Sequence, residues 1–144
     1  MDKSKNLQVT LDLQNDKVLF HGQVEGQSPV AIDYVKPLGD DQGYTSLELL
    51  LLSLGSCVGT ALLMFLRRMG KTIHKLSVQV DADRRAEHPT ILTAIHLKFY
   101  FVSPDIQEAE LKQVVDMAED KYCPVYAMLK GNTEITTSCF ISRD

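Results

Sequence analysis

The sequence predicts an α+β fold, with antiparallel sheets packed around one long apolar helix in a single domain over residues 1–144. Three observations lead there. Several stretches alternate apolar and polar residues with period two. One stretch, Leu49 to Leu66, runs 18 residues without a charge. The resulting order β-β-β-α-β-β-α-α-β lacks the regular βα alternation of a doubly wound sheet. A composition of 44% hydrophobic and 24% charged residues is enough for one compact core.

The elements follow in chain order. Leu7, Val9, Leu11 and Leu13 alternate with Gln8, Thr10, Asp12 and Gln14, the pattern of a half-buried strand, and Asn15-Asp16 makes the turn after it. Val18, Phe20 and Val24 form a second strand, with Gly22 interrupting its face, and Val30, Ile32 and Tyr34 a third, giving an antiparallel meander. Lys36 to Tyr44 holds a proline, two glycines and two aspartates and reads as a loop. Thr45 then caps a helix, Glu48 completes a capping box, and Gly70 ends it. Leu76, Val78, Val80 and Ala82, then Ile91, Thr93, Ile95, Leu97, Phe99 and Phe101, give a long hairpin. Ser103-Pro104 opens a second helix as N-cap and first residue, with Ile106, Ala109, Val114, Val115, Ala118 and Tyr122 as its apolar stripe. Cys123-Pro124 breaks it, a short helix runs from Pro124 to Lys130, and Ile135, Thr137, Cys139 and Ile141 share one face of a last strand.

A formal net charge of −4 and the absence of a basic stripe beyond Arg67-Arg68 and Arg84-Arg85 argue against a nucleic-acid partner. The polar start Met1-Asp2-Lys3-Ser4-Lys5-Asn6 carries no apolar leader, which leaves the cytoplasm as the expected location. Leu49 to Leu66 just meets the length of a membrane span, but amphipathic flanking segments need an apolar partner, so the expectation is a buried helix and no membrane.

Chemistry centres on cysteines. Three of them, at 57, 123 and 139, are too few and too far apart for a disulfide scaffold, and no Cys/His spacing suggests zinc. Cys139 lies on the apolar face of a strand and reads as core. Cys57 lies within the apolar helix, where burial would make it inert. Its neighbours Ser53, Gly55, Ser56, Gly59 and Thr60 are small, however, leaving room for a close-packed helix or a substrate. Cys123 precedes Pro124 at a helix start beside Lys121, so local field alone makes it the easier thiol to ionise. His21, His74, His88 and His96 form no metal-ligand spacing, and none is singled out as a base.

The segment Ser46 to Cys57, the segment Lys121-Tyr122-Cys123-Pro124-Val125 and the element order together resemble the OsmC/Ohr family of osmotically inducible and organic hydroperoxide resistance proteins. The resemblance spans nearly the whole chain. It implies an intertwined homodimer and a thiol-dependent peroxidase acting on organic hydroperoxides, in which Cys57 matches the peroxidatic thiol and Cys123 the resolving one. The thiolate would yield a sulfenic acid that condenses to a Cys57–Cys123 disulfide, reduced by an external dithiol, with no metal and no bound cofactor.

The match has departures. The family's peroxidases place a Glu ten residues before the first cysteine, paired with an Arg from the N-terminal strands. Here position 47 is Leu, Glu48 stands nine residues before Cys57, and no Arg precedes Arg67. Nine residues at about 100° each put Glu48 on the far side of a straight helix from Cys57, and capping explains it. Lys17, Lys36 or a partner's arginine could stand in for the missing cation. The departures open a second expectation, a non-catalytic homodimer of the same fold binding a small apolar ligand in its interface cleft.

Overall fold

The computed structural model describes residues 2–144 as an α+β chain of six strands and three α-helices in two compact units, one running to Leu50 and the other spanning Leu51–Asp144. The first unit holds the meander β1 (Thr10–Leu13), β2 (Phe20–Gln23) and β3 (Val30–Ile32), antiparallel in sequence order. The Asn15 side chain accepts from the Lys17 and Leu19 amides and shapes the β1–β2 turn. The strands are shorter than the alternation suggests, and Leu7, Val9, Leu11 and Leu13 are all exposed within the chain.

The loop after β3 is organised by Asp33, whose buried carboxylate accepts from the backbone amides of Tyr34, Asp40 and Gln42 at 2.8, 3.1 and 3.0 Å. Burial opposes its ionisation, but those donors together with Lys17 outweigh it and hold the carboxyl below its ordinary value. Gly43 passes so close to the Ala31 carbonyl that any side chain would collide with backbone. The loop delivers the chain to α1 (Ser46–Arg68) with its capping box in place: Thr45 Oγ1 donates to Glu48 Oε1 at 2.7 Å, and the Thr45 and Glu48 amides each donate to the other's side chain at 3.3 Å. Gly70, at φ +76°, ends the helix.

In the second unit β4 (Lys75–Arg84), β5 (Leu92–Val102) and β6 (Glu134–Ser142) form a sheet in that order. Ile95, Leu97, Phe99 and Phe101 of β5 are buried with Leu54, Val58, Ala61, Leu62 and Leu66 of α1, so packing accounts for one side of the charge-free helix. Gly55 and Gly59 face Val78, Val80 and Phe99; a Cβ on Gly55 would lie 3.0 Å from Val80. The small residues beside Cys57 therefore admit a sheet, where the sequence suggested another helix or a substrate.

Two local expectations are corrected. The β4–β5 hairpin is antiparallel, but β5 and β6 run parallel, Leu97 opposite Thr137 and Phe99 opposite Cys139. The helical crossover between them is long enough to return the chain to the same end of the sheet. Ser103 does not start a helix: its hydroxyl accepts from the Asp105 and Ile106 amides in a turn, and α2 (Glu108–Met117) begins after Gln107, which forms a capping box with Glu110. Ala109 consequently faces solvent, and Leu111 takes its place in the stripe of Ile106, Val114, Val115 and Ala118. A π-helical turn, Ala118–Tyr122, then leads to α3 (Pro124–Leu129).

Candidate functional site

Cys57 sits halfway along α1, one residue before the buried Val58 and two after Gly55, which places its half-exposed sulfur at the margin of the packed face. Cys123 arrives from the other direction. Its amide reaches back five residues to the Ala118 carbonyl at 2.9 Å, closing the π-turn, and its side chain caps α3 by accepting from the Tyr126 amide at 3.3 Å. The edge-to-face contact of Tyr122 with Phe65, centroids 4.8 Å apart, ties the turn to α1. Pro124 supplies the first residue of α3 at no hydrogen-bond cost.

These elements bring Cys57 Sγ and Cys123 Sγ to 2.8 Å, both as free thiols. A disulfide bond is about 2.05 Å long, so the sulfurs have little distance left to close once an oxidant takes two electrons and two protons from the pair. Cys123 is only 2% exposed, and its thiol is pushed up to about 12, first by burial and then by its hydrogen bond to Cys57; the Tyr126 and Val125 amides pull the other way and lose. This reverses the local-field reading of the sequence. A helix start favours a thiolate only where solvent or a cation helps, and here desolvation wins.

Cys139 is half-buried and stands apart from this pair, its thiol pushed up to about 11 by burial and by the negative Glu119. With Glu119 and Thr137 it borders a cleft of about 710 Å3 along α2 and β6, which neither Cys57 nor Cys123 lines. Glu119 carries a signal that sequence reasoning missed. Its carboxylate accepts the Thr137 hydroxyl, and burial raises its pKa. A glutamate four residues before a cysteine is unremarkable until the π-turn folds it inward.

Other candidate groups are engaged elsewhere. Glu48 is committed to the α1 cap and Lys17 to Asp40 at 2.6 Å. His96 lies between the Thr136 and Ser138 hydroxyls on the outer face of its sheet, and no cluster of three or more metal-ligating side chains occurs among the described residues.

Residues 39–138 match the family of OsmC-like proteins. The chain is 29% identical to Protein YhfA of Escherichia coli (strain K12) over 98 residues, 68% of this chain and 73% of that one. It superimposes on an OsmC like protein from Mycoplasma pneumoniae with a TM-score of 0.82 at 24% identity, covering 99% of this chain and 100% of the other. An organic hydroperoxide resistance protein OsmC from Legionella pneumophila shares the fold at a TM-score of 0.68 and 12% identity, over 93% of this chain and 97% of its own. With the matched residues covering the α1 thiol, the π-turn thiol and most of the second sheet, this chain belongs to the OsmC-like protein family.

Proposed function

We propose that this chain is a cytoplasmic thiol-dependent peroxidase that reduces organic hydroperoxides in defence against oxidants. The observation that carries the reading is the 2.8 Å contact between the Cys57 and Cys123 sulfurs. Cys123 is buried and held protonated, which leaves Cys57 to attack. Its thiolate takes the terminal OH of the hydroperoxide, forming a sulfenic acid and releasing an alkoxide that leaves as the alcohol after gaining a proton. The Cys123 thiol then displaces that OH as water, and the sulfurs join. An external dithiol restores both thiols by exchange and is itself oxidised. No metal or bound cofactor enters the cycle.

A homodimer is part of the proposal. Leu7, Val9, Leu11 and Leu13 of the first unit are exposed in the single chain, and an apolar stretch of this kind is ordinarily covered by another protein surface. The name of the Legionella neighbour, organic hydroperoxide resistance protein, agrees with the substrate class. The apolar helix that carries Cys57 favours organic hydroperoxides over hydrogen peroxide.

One observation favours the second reading, a non-catalytic homodimer holding a small apolar ligand in its interface cleft: Glu48 is spent on the helix cap, and no arginine precedes Arg67 to stabilise a thiolate. A dithiol-coupled assay separates the two. The wild type should consume an alkyl hydroperoxide faster than hydrogen peroxide, and Cys57→Ser should abolish turnover. A Cys57→Ser protein with the wild-type rate would overturn the peroxidase reading.

A further inference from the structure

We propose that Glu119 is a positioning residue for disulfide closure, tying the turn that carries Cys123 to β6 so that its sulfur stays against Cys57; the proposal rests on the disulfide-forming reading above. One hydrogen bond crosses from its carboxylate to the sheet: the Thr137 hydroxyl on β6 donates to it, while the Glu119 backbone lies in the π-turn Ala118–Tyr122. The Tyr126 amide in turn donates to Cys123 Sγ at 3.3 Å. Cys123 is thus bounded on one side by the Tyr126 amide and on the other by the turn that Glu119 ties to β6.

The turn needs such a tie. Single π-turns, here one that continues α2, are rare and found frequently at functional sites. Besides Glu119, what fixes this one is the Cys123 amide to Ala118 bond and the Tyr122 contact with Phe65. Neither reaches β6. The Thr137–Glu119 bond anchors the turn to the sheet, and losing it lets Cys123 drift from α1.

The test compares wild type, Glu119→Ala and Glu119→Gln. Each reduced protein is treated with one equivalent of tert-butyl hydroperoxide and, separately, with diamide, which oxidises paired thiols to a disulfide and becomes its hydrazine. Dimedone traps sulfenic acid, and mass spectrometry follows the Cys57–Cys123 bond. In Glu119→Ala, sulfenic acid forms at Cys57 within about twofold of the wild-type rate. Its disulfide closes at least about tenfold more slowly with either oxidant, since ångström-scale misplacement costs up to about 10²-fold. Glu119→Gln keeps an acceptor for Thr137 and restores closure. Wild-type closure in Glu119→Ala, or a Glu119→Gln as slow as Glu119→Ala, overturns the proposal. If Glu119→Ala does not fold, Thr137→Val, which removes only the donated hydroxyl, carries the same expectation. A wild type that gives neither a dimedone adduct nor a disulfide with tert-butyl hydroperoxide would sink the peroxidase reading, while the diamide arm still decides the role of Glu119.

Discussion

Cys57 lies in the middle of a 23-residue helix whose backbone bonds are local, whereas Cys123 depends on a five-residue π-turn, a six-residue helix and a hydroxyl from β6. The helix fixes Cys57 by burying Leu54, Val58 and Leu62 and leaves its sulfur half-exposed. The turn buries Cys123 and leaves it protonated. On the proposed peroxidase reading the difference divides the roles: Cys57 meets the substrate, and Cys123 is kept intact until a sulfenic acid forms beside it.

The largest effect that would break this comparison is on turnover. Cys57→Ser should remove all reaction with hydroperoxide, while Cys123→Ser should complete one oxidation and stop at a Cys57 sulfenic acid visible as a dimedone adduct. Equal behaviour of the two variants would erase the assigned asymmetry. Alkylation sharpens it further: iodoacetamide at neutral pH should label Cys57 well before Cys123, whose thiol is pushed up to about 12. Labelling in the reverse order would contradict the burial argument.

Smaller effects test the platforms. Gly55→Val should cost about 1–3 kcal/mol in urea melts, because its side chain meets Val80 and drives α1 from β4, and it should slow disulfide closure as well. Thr45→Ala should cost about 1 kcal/mol through the lost cap while leaving closure untouched, as should the rate in Glu48→Gln. A collapse of peroxide turnover in Glu48→Gln would restore that carboxylate to the chemistry.

The smallest effect concerns pH. Burial, then the neighbouring Asp116 and Asp120, raise the folded pKa of Glu119 above its unfolded value, against hydrogen bonds from Thr137 and Tyr126; Cys139 also faces this carboxyl. The folded state therefore holds the proton more tightly, and stability declines as pH rises from the ordinary carboxylate value through the raised one. Glu119→Gln stays neutral and lacks that decline. Its melting temperature relative to wild type should rise between acid and neutral pH, by a degree or so, and a pH-independent difference would count against the buried carboxylate.

Much of this was legible in the sequence, because period-two alternation and the Thr45–Glu48 spacing are local signals that tertiary packing did not overrule. The parallel pairing of β5 with β6 was not, since strand direction depends on how a crossover returns and leaves no mark on the strands themselves. Nor was the late start of α2, where Ser103 satisfies the first amides as a turn and so mimics a helix cap. At the site, Cys57 and Cys123 stood out by resemblance, but the protonated state of Cys123 depends on burial among distant residues, and Glu119 is revealed only by the π-turn.

The central claim is that these two sulfurs form a redox pair. It is tested most directly by treating the reduced wild-type protein with one equivalent of tert-butyl hydroperoxide and mapping its disulfides by mass spectrometry within seconds. The account predicts a single Cys57–Cys123 bond with Cys139 still free. Unreacted thiols, or a bond that takes in Cys139, would contradict it.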